Sequence, residues 1–249
     1  MSELQHPDSR SFDQVAELYE RARPTYPEGA VDWLVGRLRI GPRSTLLDLG
    51  AGTGKLTRAL VPRAARVIAV EPGPEMLAQL RRAAPAAEAM LGAAESIPLA
   101  DDAVDAVLCG QSFHWFRTDE ALREIRRVLR PSGGLGLIWN RRDPDDPTQM
   151  EITKLLEPLV PPGRAPIEVS VAPFVERTFG EVARHSVRFE EELAPDAVAY
   201  RVASISYVAA APEPKRRRLD EALRALVSAH GDSVVLRYVT YAFATFNVA

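Results

Sequence analysis

Cysteine is nearly absent, with Cys109 alone in 249 residues. A single thiol excludes an intrachain disulfide and any zinc site built on several cysteines, and no metal site is read from the chain. The expected setting is reducing and intracellular, that is, cytoplasmic. Residues 1–14 lack the basic-then-apolar pattern of a secretory signal. No stretch approaches the ~18 uninterrupted apolar residues of a membrane span, so no membrane partner is expected. Charge of one predominant sign is missing too: 31 basic against 34 acidic residues leave a net −3. That balance lacks the basic footprint of a nucleic-acid binder, and nucleic acid is not an expected partner. The oligomeric state is left open.

What the chain does contain is an alternation of strand and helix signals. Its length, set against ~150 residues per domain, fits one large α/β domain spanning 1–249. Four short apolar runs, Thr45–Leu49, Arg66–Val70, Val104–Cys109 and Leu135–Trp139, read as central strands of a parallel sheet covered on both faces, and Ala89–Leu91 can add another. Between them, Met76, Leu77, Leu80, Ala83 and Ala84, and then Ala121, Leu122, Ile125, Val128 and Leu129, have helical spacing. Pro131 and Gly133–Gly134 are expected to stop the second helix in a tight turn before the Leu135 strand. This β-α-β-α order implies right-handed crossovers and a doubly wound sheet. Upstream, residues 1–42 form a helical cap with helices at Phe12–Tyr19 and Gly29–Leu38, joined by a rigid Arg23–Pro27 link. Downstream, residues 141–249 read as an insert and closing elements. Asp143–Pro147 is a turn-forming break, and Leu155–Pro166 is irregular because prolines interrupt it. Val182–Leu193 and Val234–Val248 are a closing pair of strands, with helices at Asp196–Val208 and Glu213–His230 between them. The basic run Lys215–Arg218 reads as a solvated first helical turn, with a phosphate patch as its alternative.

Leu46–Thr57 is the most informative stretch. Glycines 50, 52 and 54 sit where a strand turns into a helix, permitting a tight turn and close approach of backbone to ligand. About 20 residues on, Glu71 ends the second strand, where a carboxylate can accept both hydroxyls of a ribose. A Walker loop would need glycine at 49 and serine or threonine at 56, where the chain has Leu49 and Leu56. A dinucleotide loop would need glycine at 55 or 57, where it has Lys55 and Thr57. The remaining pattern is D-x-G-x-G-x-G with Asp48 leading it, and the acid suits a ligand that carries positive charge.

Leu47–Gly54 together with Val67–Pro72 resembles the class I S-adenosylmethionine-dependent methyltransferases. Gly92–Pro98 and Asp105–Phe116 resemble their small-molecule subgroup, often called type 11. Phe113–Phe116, Trp139–Asn140 and Arg23–Pro27 are similar to the trans-aconitate methyltransferase-like branch. The resemblance covers residues 45–140 and implies a doubly wound, mostly parallel seven-stranded, Rossmann-like sheet, with residues 43–140 as the cofactor-binding core. It implies that Gly50, Ala51, Gly52 and Gly54 line the methionine part of S-adenosylmethionine, with Asp48 near its ammonium group. Glu71 and Pro72 would hold the ribose, while Met76, Ala94 and Glu95 would flank the adenine. Gln111 would lie at the mouth of the substrate site. Tyr19 and Arg23 would cap the cofactor, with a surface ion pair as the alternative for Arg23. Tyr26, Phe113, Trp115 and Trp139 would wall the acceptor pocket, and Glu17–Tyr26 would act as a mobile cover.

The resemblance implies methyl transfer to a small molecule, such as a carboxylate or natural product. An ionised carboxylate or thiolate needs no base, whereas a neutral hydroxyl or protonated amine does. For that task His114 is the best-placed candidate, with a structural histidine as the alternative. The Asn/Asp-Pro-Pro-Tyr/Phe tetrapeptide of many base and glutamine methyltransferases is missing, and Gly110–Phe113 stands in its place. Asp105 reads as a residue starting a strand, Met76 as either core or adenine contact, and Cys109 as an inert buried thiol. Competing functions are a cofactor-binding but inactive partner module and, on weaker grounds, a nicotinamide oxidoreductase.

Overall fold

A computed structural model of the chain describes residues 23–161 and 167–247. The expected Phe12–Tyr19 helix, Tyr19 itself and most of the proposed cover lie outside the described residues. Two compact units interleave along the sequence: residues 1–24, 140–164 and 188–239 in the first, and 25–139, 165–187 and 240–249 in the second.

The second unit holds the alternating segment. Helix α1 (Glu28–Arg37) leads to β1 (Thr45–Leu49), α2 (Lys55–Leu60), β2 (Arg66–Glu71), α3 (Pro74–Ala83) and β3 (Glu88–Leu91). Then come β4 (Val104–Gly110), α4 (Asp119–Val128) and β5 (Leu129–Arg142). The sheet has seven strands in the order β3-β2-β1-β4-β5-β7-β6, and the pairs β3–β2, β2–β1, β1–β4 and β4–β5 are parallel. Alternate residues of each buried strand serve opposite faces. Leu47, Leu49, Ile68, Val70 and Val107 enter one core, and Leu46, Val67, Ala106 and Leu108 enter the other, with α1 residues Val31 and Leu34. This is why the strands read as continuous apolar runs rather than alternating ones.

β5 begins six residues earlier than expected. Helix α4 runs directly into it at Leu129, and the proposed turn is instead a bulge. Val104 pairs with Leu129, but Ala106 already pairs with Gly134, so residues 130–133 loop out, with Ser132 at φ 66. Asp105 holds this irregularity together: its Oδ2 accepts from the Thr45 amide at 2.7 Å and its Oδ1 from Arg130 Nη1 at 2.8 Å.

The sequence reading also missed two helices. In the first unit the expected turn is present at Asp143–Asp146, and α5 (Pro147–Leu156) follows it directly, because Asp146 accepts from the amides of Thr148 and Gln149 at 2.8 and 3.2 Å and proline is favoured at the first helical position. In the second unit, α6 (Ile167–Phe179) carries Pro173 internally and buries Val171, Val175 and Phe179. The chain continues through β6 (Ala183–Leu193), α7 (Pro195–Ala203), α8 (Ser206–Ala209), α9 (Glu213–Ser228) and β7 (Val234–Phe246), with β6 and β7 adjacent as expected. The first unit has its own core, including Ile152, Leu156, Val198, Val202, Leu223 and Leu236. Lys215–Arg218 is exposed on α9. No described helix is long and apolar enough to cross a membrane.

Candidate active site

β1 lies between β2 and β4, so the strand order reverses at β1. In open parallel sheets the ligand crevice forms beyond the carboxyl ends of the strands at such a reversal. Leu49, Glu71 and Gly110 end the three strands there.

The glycine loop is pinned from both sides. The amides of Gly50 and Ala51 both donate to the Val70 carbonyl, at 2.8 and 3.1 Å. Gly50 has φ +66, and a Cβ there would stand 2.7 Å from Ser112 Cβ and 3.0 Å from Phe116 Cε1, so only glycine fits. Ser112 closes the contact by donating to the Leu49 carbonyl at 2.8 Å. The crest behaves differently: a Cβ on Gly52 would meet nothing within 4 Å. The loop thus presents open space at its crest while its base is packed.

Two carboxyl groups face this loop. Glu71, nearly buried, accepts from the Gly52 amide at 2.8 Å through Oε2 and from the Gly73 amide at 3.0 Å through Oε1, across the half-buried Pro72. Asp48 is fully buried; its Oδ2 accepts from the Thr57 hydroxyl at 2.6 Å, and its Oδ1 has no hydrogen-bond partner among the described residues. Burial pushes this carboxyl up to about 7, although the Thr57 hydroxyl and amide pull the other way. Burial also drives the neighbouring Cys109 thiol well above its ordinary range, and the Asp48 charge adds to that.

Gln111, half-buried after β4, has φ 58 and donates from its amide to the Ile138 carbonyl at 2.9 Å. A left-handed non-glycine residue beside a ligand crevice is strain of the kind found at functional sites. Tyr26 is half-buried, and its hydroxyl would be 2.7 Å from a Cβ on Gly110. Met76 is buried on α3, Ala94 is buried in the core with Ile97, and Glu95 is half-buried in the Ala93–Ser96 turn.

The aromatic wall is only partly realised. Phe113 is fully buried, edge-on to Phe116 at 5.7 Å and close to Phe174 at 6.3 Å. Trp139 is also fully buried, edge-on to Phe243 at 5.9 Å. Both belong to the same core cluster rather than facing one another across a crevice, because burying large rings outweighs displaying them. His114 and Trp115 remain half-buried, with ring centroids 4.7 Å apart. Arg23 lies in the first unit, where its Nη2 donates to the Ser204 carbonyl at 3.3 Å. Among the described residues no His, Cys, Asp and Glu group could hold a metal. Thr57 and Ser112 were not singled out from sequence; Thr57, nine residues after Asp48 and inside the motif, was the more detectable.

The methyltransferase domain family matches residues 47–137. An uncharacterized methyltransferase of Mycobacterium tuberculosis is 41% identical over 237 residues, 93% of each chain. A malonyl-(acyl-carrier protein) O-methyltransferase of Methylococcus capsulatus is 38% identical over 132 residues, covering 50% of this chain and 48% of that one. A solved structure from Anaeromyxobacter dehalogenans, named for a type II methyltransferase, has a TM-score of 0.67 at 26% identity, over 91% of this chain and 98% of that chain. With its loop, sheet order and relatives in agreement, the chain belongs to the class I S-adenosylmethionine-dependent methyltransferases.

Proposed function

We propose that the protein methylates a small acceptor bearing a carboxylate, using S-adenosylmethionine. The observation that carries the cofactor assignment is the pairing of Glu71 with the buried Asp48 around the open crest at Gly52. Glu71 accepts the ribose hydroxyls, and the unpartnered Asp48 Oδ1 faces the ammonium, the one positive group that would stabilise its ionised form. Gly50, Ala51 and Gly54 shape the loop around the methionine part, Pro72 adjoins the ribose, and Met76, Ala94 and Glu95 flank the adenine. When bound, S-adenosylmethionine supplies a methyl group already activated on a sulfonium. What this chain must add is position and exclusion of water. Gln111, with its constrained backbone, is a positioning residue at the acceptor side, together with Tyr26 and Trp115.

The acidic balance and the absence of the tetrapeptide favour a small molecule over nucleic acid or protein, and the O-methyltransferase relative supports a carboxylate acceptor. Such an acceptor is ionised at neutral pH and requires no base, so His114 is expected to orient rather than to remove a proton. The test is a screen of carboxylic acids and matched alcohols with radiolabelled methyl donor. Methyl esters release their label as methanol in alkali, and label stable to alkali would overturn the carboxylate assignment. With the acid found, His114→Gln should keep kcat within a few-fold. A loss of about 10²–10⁴-fold, with cofactor affinity intact, would instead identify His114 as a general base.

A further inference from the structure

Between β3 and β4, residues 92–103 run without helix or strand ladder, apart from a single bridge between Ala93 and Ser96. The path of this strap is set by side chains of α4, within the same compact unit. The turn at 93–96 is closed at its neck, where a Cβ on Gly92 would stand 2.8 Å from Pro98 Cδ. Ile97, which follows the turn, is held at both of its main-chain groups. Its amide donates to Glu124 Oε2 at 2.9 Å, and its carbonyl accepts from Arg127 Nη2 at 3.0 Å. Arg127 Nη1 donates to the Leu99 carbonyl at 2.8 Å and to Asp101 Oδ1 at 2.9 Å, while Nε and Nη2 reach the two oxygens of Glu124, both at 2.7 Å. Together these bonds occupy all five donors of the guanidinium. Arg127 in turn holds the Glu124 carboxyl below the usual carboxylate range.

An ion pair along one helix contributes little to stability and needs no main-chain partner. This one directs further donors at two carbonyls of the strap, and the position of the strap gives that a use. The sheet order sets the ends of β1, β2 and β3 side by side, so the Gly52 crest, Glu71 and the turn after β3 follow one another in that order. The Gly92 amide links the last two by donating to the Glu71 carbonyl at 3.3 Å. A nucleoside with its amino-acid part at the crest and its ribose on Glu71 extends its base over the turn. Ala93 and Ala94 carry no hydrogen-bonding side chain, so there the base can be read only by main-chain groups, and their placement decides the fit. We propose that Arg127, braced by Glu124, is the positioning residue for base recognition, fixing the main chain after β3 so that the site selects adenine over other purines. This rests on the cofactor reading above and makes it more specific. Arg127 acts through residues 93–97 rather than on the cofactor itself.

The test is calorimetry on the full chain with S-adenosylhomocysteine and with S-inosylhomocysteine, whose hypoxanthine reverses the donor and acceptor pattern at the edge of the base. The wild type should prefer the adenine compound by about tenfold or more, as a site built to hydrogen-bond one pattern does. Arg127→Met should weaken S-adenosylhomocysteine about tenfold and S-inosylhomocysteine much less, so that the preference shrinks. Arg127→Lys keeps the charge without the planar fork and should recover part of the preference. Glu124→Gln leaves an acceptor for the Ile97 amide and should lose less than Arg127→Met. Should Arg127→Met not fold, as judged by circular dichroism, Arg127→Lys and Glu124→Gln carry the comparison, each with a preference below that of the wild type. Folded variants with a lower Tm but an unchanged preference would overturn this role, because a fastening that serves stability alone gives that result. So would an equal loss for both compounds, or a wild type without preference; each of these leaves the cofactor reading standing. A wild type that binds neither compound would refute the cofactor reading and this role with it.

Discussion

Asp48 is where burial most directly sets the chemistry of one side chain. In the unfolded chain its carboxyl titrates at ~3.9, whereas in the folded protein burial raises it to about 7. The sign follows from linkage. A raised folded pKa contributes stability that is complete below pH ~4 and is lost as the pH rises through about 7. Asp48→Asn cannot ionise and lacks that dependence. Wild-type stability should therefore fall relative to Asp48→Asn between about pH 4 and 7, by on the order of 4 kcal/mol, and level off above. Urea midpoints of both proteins across this range measure it, and parallel curves would show that the carboxyl is not held neutral. The importance of Asp48 is legible in D-x-G-x-G-x-G, but its pKa is not, since that depends on how thoroughly two layers of side chains exclude water.

The ends of β4 and α1 illustrate how secondary-structure elements meet. β4 closes on Gly110, and a methyl group there would stand 2.7 Å from the Tyr26 hydroxyl and 3.1 Å from Leu56 Cδ2. Gly110→Ala should cost about 1–3 kcal/mol in chemical denaturation, as overpacking does. Tyr26→Phe removes the opposing oxygen, so the double variant should be less destabilised than the sum of the single ones; strict additivity would mean that the two groups do not touch. The close approach joins residues 84 positions apart, and nothing in the local pattern announces it. Other elements were legible in outline but not in type. Asp143–Pro147 was read as a turn-forming break, and the turn is there, but its last two residues also serve as an N-cap and first-turn proline of a helix that the reading did not include, and Pro173 concealed a helix whose buried residues keep a helical period. The bulge in β5 was foreseen as a turn because Pro131 and Gly133–Gly134 have the right composition, while only pairing with β4 shows that the strand has already begun.

Ligand binding is the property that engages the whole chain. S-adenosylhomocysteine binding only the native state should add about 2.7 kcal/mol at a hundredfold excess over Kd, raising Tm by about 5–11 °C, with NADH and ATP ineffective. A thermal shift from NADH and none from the sulfur nucleoside would refute the cofactor assignment. The expectation comes from contiguous features: apolar runs long enough for buried strands, three glycines at a strand end, and acids at positions 48 and 71. These were readable because each is encoded within a few turns of chain, where backbone sterics and hydrophobic period act directly. The burial of Phe113 against Phe174 and of Trp139 against Phe243 was not readable. They bring together residues 61 and 104 positions apart, and a local pattern specifies that a side chain is large or charged without specifying what will stand opposite it. Whether an aromatic ring lines a pocket or fills a core, and whether an arginine meets a carboxylate or another arginine, is decided only when distant segments pack.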